Sequence, residues 1–385
     1  MKQRMKYHPM MLVLIAVAGI STLMIFPSLA DTMISGNAQM MSTTYPDRVL
    51  DISDVFTNRD MDQSPSMEDA LQYTIFDDCD IVISEEGTYV FSGAANNVTI
   101  FVEADDESTI QLILFGLSIT NRDFPCIYVV SGNKTIITTS KDSSLKVTGN
   151  FQSDRGTKAN GVVYSRSDLV LNGTASLTIA SPKHGIVSKD DLKITGGTYN
   201  VTVNANAIKA DDSILITGGA LNLASGNDGL HAENDKNDAL GYIYISNATL
   251  DIQVEDDAIH ATSVVQIDGG TINIFAWEGI EGTCVQINGG LINIQCRDDG
   301  INGTRTSSAY SSSIEINGGE INISLSENKT DGIDTNGNLI INGGTVSIIG
   351  DSAFDWSGGM EFNGGTIIIN GEEMTSLTNH DRNSL

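Results

Sequence analysis

The chain has 385 residues, with 21 Lys+Arg against 49 Asp+Glu and a formal net charge of -28. That balance excludes nucleic acid and anionic membrane surfaces as natural partners and suits a partner that is neutral or arrives with cations. Charged residues are only 18% and hydrophobic ones 40%, so the acidity is not that of a disordered polyelectrolyte.

Residues 1–30 read as a secretory signal: Lys2, Arg4 and Lys6 precede the apolar run Met10–Phe26, and Ser28-Leu29-Ala30 supplies the small residues of a cleavage site. An uncleaved anchor is the alternative. No second hydrophobic span follows, so the rest of the chain is expected to be secreted or displayed at the cell surface. Losing three positive charges takes the exported part from -28 to -31. Residues 31–76 read as a linker and cap, in which Ser66-x-x-Asp69 predicts a short helix over the open N-terminal end of a core. Ile81–Val90, Val98–Val102, Thr109–Thr120, Ile127–Val130 and Thr135–Thr139 are short strand-like runs.

From residue 192 one phrase recurs, as LKITGGTYNV, ILITGGALNL, VQIDGGTINI, VQINGGLINI, IEINGGEINI and LIINGGTVSI, at intervals of 20–29 residues. Each copy is a strand of alternating polarity, a glycine turn and a second such strand; glycine is abundant (38) and no proline follows Pro182. One unit cannot close a core, but stacked copies bury a continuous one. The reading is an all-β parallel β-helix over 77–372, a solenoid with insertions confined to one loop, followed by a polar tail over 373–385. The cysteines at 79, 126, 284 and 296 form no Cys-x-x-Cys pair. Cys126 and Cys296 read as buried thiols, with a stapling disulfide as the lesser alternative.

A second phrase follows each second strand: KHGIVS, ANAIKA, NDGLHA, DDAIHA, WEGIEG, DDGING, TDGIDT and DSAFDW. Its aligned apolar residues, Ile186, Ile208, Leu230, Ile259, Ile280, Ile301, Ile333 and Phe354, read as an inward ladder. Two residues earlier stand Asp228, Asp257, Glu278, Asp299 and Asp331; one residue later stand His231, His260, Glu281, Asn302, Asp334 and Asp355. Carboxylates at the interstrand spacing of roughly 4.8 Å repel by about 3.5 kcal/mol at an effective dielectric of 20, unless a cation bridges them. Oxygen ligands in this number favour Ca2+ over zinc. The plainer alternative is a solvated acidic edge. Trp277 and Trp356, the two tryptophans, fall beside this ladder and suggest a saccharide-binding surface; Lys209 reads as an ion-pair partner or as a general base.

The ordered phrases GTYVFSG, LILFGLSIT, HGIVSKDDLKITGG, NDGLHAEND, WEGIEG, DDGING and TDGIDTNG resemble the secreted carbohydrate-binding β-helix family related to family 9 pectate lyases. The resemblance covers about residues 77–370. It implies a right-handed, single-stranded parallel β-helix that binds calcium and an acidic, pectin-like or cellulosic polysaccharide without established cleavage. Carried over by position, it makes Asp228, Asp256, Asp257, Glu278, Glu281, Asp298, Asp299, Asp331 and Asp334 the expected calcium ligands. Trp277, His231, His260, Asn302 and Trp356 are then the expected ligand-facing residues. The family's Asp-Gly-Ile-His is here Asp257-Ala258-Ile259-His260, and DSAFDW is degenerate, which weakens a cation site at Asp351 and Asp355.

The leading expectation is therefore a calcium-dependent polysaccharide-binding protein without catalysis. A calcium-dependent polysaccharide lyase using Lys209 as base, with Lys189 and Arg297 as further basic residues, is the first alternative. A structural surface-layer or adhesin solenoid is the second, in keeping with eight Asn-x-Ser/Thr sequons such as Asn97, Asn133 and Asn328.

Overall fold

The computed structural model describes residues 48–153, 157–326, 330–377 and 379. The signal expected over 1–30, the leader up to residue 47, the sequon asparagine Asn328 and the tail beyond 379 lie outside the described residues. The described chain is all-β, with no helix and with strands in long parallel sheets.

Each repeat contributes three strands in rotation. Val264–Ile267, Thr271–Ala276 and Glu278–Gly282 are followed by Cys284–Ile287, which pairs in parallel with the first of them. Repeating this builds three ladders, here named the first-strand, second-strand and acidic ladders. The acidic ladder is a separate sheet of 12 strands, while the other two are joined through the long strands Gly87–Asn96 and Thr109–Asn121 into one of 24. Register is regular in the repeats, where Val265 faces Val285, Ile272 faces Ile292 and Ile280 faces Ile301, and it shifts only in the first coils, between Phe91 and Gly93, Val102 and Glu103, and Leu114 and Phe115.

The alternation of the sequence explains the packing. Every second residue turns inward, and Ile272, Ile292 and Ile321 stack fully buried along one continuous core. Burying each such side chain is worth about 1.5–3 kcal/mol. The glycine phrase makes the corner between the first and second strands; Gly290 adopts φ +102, where a Cβ would be strained. The residue before the glycines adds a staple. Asn288 donates to Asp268 at 2.7 Å, Asn317 to Asn288 at 2.8 Å, Asn342 to Asn317 at 2.8 Å and Asn363 to Asn342 at 2.8 Å.

The segment leading into the first strand corrects the capping expectation. Ser66–Asp69 forms no helix, and residues 48–64 run as a strap along the outside of the first-strand ladder. Val49 and Leu50 donate backbone N–H groups to Gln286 and Gln266, at 3.3 and 2.8 Å. Further back along the ladder, Lys193 donates to the Val55 carbonyl at 2.9 Å, and buried Asp60 accepts from Lys134 at 3.0 Å. Leu50, Val55 and Phe56 pack on Leu215, Tyr244, Val264 and Cys284. The tail also departs from expectation: Glu372–Met374 pairs antiparallel with Thr366–Ile369 and so covers the end of the second-strand ladder. All four cysteines are free thiols, with Cys79 exposed and the other three buried.

Candidate cation and carbohydrate site

On the acidic ladder the apolar column is in register from Ile186 through Ile208, Leu230, Ile259, Ile280, Ile301 and Ile333 to Phe354. All eight are buried. Because the apolar residue points inward, its successor points out, which lines up Lys209, His231, His260, Glu281, Asn302, Asp334 and Asp355. The small residue before it is demanded by close approach. A Cβ on Gly279 would lie 2.2 Å from the Gly300 carbonyl oxygen.

The structure gathers the expected ligands unequally. Carboxylate oxygens of Asp228, Asp256 and Asp257 all lie within 4.8 Å of one another, and so do ligand atoms of Asp257, His260 and Glu281, with Asp257 shared. Two oxygens on opposite sides of one Ca2+, each at about 2.4 Å, are about 4.8 Å apart, so the all-oxygen group has a fitting span and donor set. In the second group the place of a cation is taken by His260, whose Nδ1 lies 3.0 Å from Asp257 and 2.7 Å from Glu281. His231 stacks on His260 with ring centroids 5.0 Å apart, and it reaches Asp228 at 2.5 Å and Glu233 at 3.0 Å.

Further along, Asp331 donates its backbone N–H to Asp299 at 2.7 Å and accepts from the Ser352 hydroxyl. Asp334 faces Asn302 and Asp355 in register. Asp298 accepts from the indole N–H of Trp277 at 3.3 Å. Trp277 is 41% exposed beside it. Trp356, expected on the saccharide surface, instead sits opposite buried Thr335 and packs half-buried against the end of the core. Lys209 is held by Glu233 at 3.3 Å.

Burial and like charge push protons onto these acids. Burial, then Asp257 and Glu281, raise Glu278 to about 9, and its buried Oε1 has no hydrogen-bond partner. Burial, with Asp298, Asp334 and Asp331 adding, raises Asp299 to about 7. Asp257 rises to about 6, chiefly through burial and against the hydrogen bond from His260. Burial works against a charged His260, but its bonds to Asp257 and Glu281 outweigh it and raise the imidazole to about 10. His184, in the same ladder two repeats before His231, is instead pushed down to about 4 by burial and by Lys209 and Lys183.

Sequence reasoning missed a second surface. The outward residues of the second-strand ladder form a groove of about 780 Å3 lined by Asn222, Asn273, Phe275, Asn293 and Asn322 among others. Its signal was visible in the recurring asparagine of Thr271-Ile-Asn-Ile, Leu291-Ile-Asn-Ile and Glu320-Ile-Asn-Ile. The partner of Lys209 and His231, Glu233, was missed as well; it lies outside the repeated phrase.

A three-ladder, all-β repeat protein with carboxylates in register on one outer face and amides on another is the class defined here. Residues 77–328 match the family model of carbohydrate-binding domain-containing proteins, and the chain belongs to that family. It is similar to a carbohydrate-binding domain-containing protein of Acetivibrio thermocellus, 35% identical over 131 residues that make up 33% of this chain and 45% of the relative. The match thus spans less than half the length of that curated relative. Among solved structures it is similar to the polysaccharide lyase-like protein from C. thermocellum, in a gadolinium derivative, at 22% identity and a TM-score of 0.43, covering 78% of this chain and 94% of that one.

Proposed function

We propose that this protein is a right-handed parallel β-helix, exported to the cell exterior, that binds polysaccharide through calcium and does not cleave it. The observation that carries the reading is the convergence of Asp228, Asp256 and Asp257, with Glu281 close by through the shared Asp257. Asp228, Asp256 and Asp257 would hold the ion. A bound Ca2+ would supply positive charge on an acidic surface, so that an anionic polymer could be bridged to a protein that otherwise repels it. Trp277, exposed beside Asp298, offers an apolar ring for a sugar face next to the acids. Membership of the carbohydrate-binding domain family supports the partner class.

The lyase alternative draws no support from Lys209. A general base must be free to accept a proton, whereas this ammonium is engaged by Glu233, which also holds His231.

The test is calcium titration by calorimetry, paired with retention on polygalacturonate in calcium and in chelator. Saturable heat together with calcium-dependent retention is expected. Retention without calcium, or release of unsaturated uronate absorbing in the ultraviolet, would overturn the reading.

A further inference from the structure

We propose that the outer face of the second-strand ladder is a second binding site, for an extended, uncharged polysaccharide chain, and that it works without a cation. The inference is separate from the calcium-bridged site, because it uses another face and different chemistry.

Two outward columns build the face. In the first, Asn200, Asn222, Asp251, Asn273, Asn293 and Asn322 stand in register on successive repeats. Asn222 donates to Asn200 at 2.8 Å, Asn273 to Asp251 at 2.7 Å, Asn293 to Asn273 at 2.9 Å and Asn322 to Asn293 at 3.0 Å. A side-chain amide has two N–H donors and two acceptor lone pairs. Asn273 and Asn293 each give one donor and one acceptor to the row and so keep one of each for a ligand, whereas Asp251 brings only carboxylate oxygens and Asn322 also donates to Glu320 at 3.2 Å. The step is the interstrand spacing, about 4.8 Å, comparable with the advance of an extended pyranose chain, so successive hydroxyls can meet equivalent partners.

The second column supplies the apolar element. Gln253, Phe275 and Gln295 are consecutive in register, and Phe275 is 42% exposed. A ring flanked by amides matches a sugar, whose faces carry C–H groups and whose edges carry hydroxyls.

Charge selects the class of polymer. Although the chain carries a net charge of -28, the groove of about 780 Å3 is lined by one carboxylate, Asp251, which Asn273 already engages. Among the described residues no basic side chain lines it. A uronate polymer would find no counter-charge there, whereas a neutral chain loses nothing. The equivalent outer face of the first-strand ladder is covered by the strap at Leu50 and Phe56; among the described residues this one is exposed.

The experiment measures binding of the full chain to hydroxyethyl cellulose by affinity electrophoresis and to swollen cellulose by pull-down, all in chelator. Phe275→Ala and Gln295→Ala are compared with Phe115→Ala, which removes another exposed aromatic, one covered by Lys141. Retention by the parent protein is expected, with binding about tenfold weaker in Phe275→Ala at unchanged melting temperature, and unchanged in Phe115→Ala. No retention in chelator, or equal retention in all three variants, would overturn the site. So would light scattering showing a dimer that Phe275→Ala dissociates, since the face would then be taken by a second copy. Calcium-dependent retention on polygalacturonate, run on the same variants, separates the two ideas: it fails alone if the calcium reading is wrong, and it persists while retention on cellulose in chelator fails if only the amide face is wrong.

Discussion

Nδ1 of His260 lies 2.7 Å from Oε2 of Glu281, its register partner one repeat further on. The imidazolium places one positive charge between Glu281 and Asp257, so in the ion-free protein a side chain stands in for a cation. Its effect has a definite sign. His260 moves from 6.5 to about 10, so its contribution to stability is complete below 6.5 and is lost as pH climbs through about 10. Glu278 moves from 4.5 to about 9, so its contribution is complete below 4.5 and is lost through about 9. In chelator the melting temperature should therefore fall between about pH 4.5 and 10, first through Glu278 alone and above about 6.5 through His260 as well. Glu278→Gln should flatten the first part of that fall, because the amide never ionises. A melting temperature that holds or rises over this range would contradict the account.

Asp257 belongs to both groups of candidate ligands. Asp257→Asn should abolish the calcium-dependent rise in melting temperature, which for the parent protein corresponds to about 2.7 kcal/mol at one hundred times the dissociation constant. Asp298→Asn should leave it intact, because that carboxylate is turned toward Trp277. Differential scanning calorimetry with and without calcium distinguishes the two; an equal loss in both variants would mean the ion is held elsewhere along the ladder.

Gly279→Ala should destabilise by about 2–3 kcal/mol, because the new methyl would meet a backbone oxygen rather than a yielding side chain. The distances are 2.2 Å to the Gly300 carbonyl and 2.8 Å to Cγ2 of Ile294. Gly269→Ala, with nothing within 4 Å of the added Cβ, should stay within about 0.5 kcal/mol. Urea melts of the pair decide the matter.

Asp60→Ala should cost about 3 kcal/mol, since it leaves the Lys134 ammonium without its partner. It should also loosen the strap, which Asn172 and Thr195 grip through the Asp60 carbonyl. Limited proteolysis would then cut within residues 48–64 before the ladders unfold. Cleavage at the same rate as in the parent would show that the Asp60–Lys134 pair does not hold the strap.

The ladders were legible because a repeat writes three-dimensional stacking into one dimension. Aligning the phrases already places Ile259 over Ile280, and the pairing follows that alignment. Period-2 alternation likewise identifies which isoleucines face the core. The two upstream strands that are longer than any strand of the repeats, Gly87–Asn96 and Thr109–Asn121, were less readable because they cross from one ladder to the other without a glycine phrase.

The candidate site was legible as a column but not as groups. Asp298 and Asp299 are neighbours in sequence, yet one accepts from an exposed tryptophan while the other caps the Asp331 amide, because the corner between them turns the two side chains apart. Trp356 resembles Trp277 by position relative to an acid, but it stands in register with buried Thr335 and packs half-buried against the end of the core.

By itself, then, the sequence determined the all-β repeat, the inward column from Ile186 to Phe354 and the row of acids beside it, since these depend only on periodicity and on residue-by-residue register. Tertiary structure alone decided that Asp228, Asp256 and Asp257 converge and that Val49 reaches Gln286 across 237 residues. Those outcomes depend on corner geometry and on a non-repeating strap, and neither leaves a periodic trace in the chain.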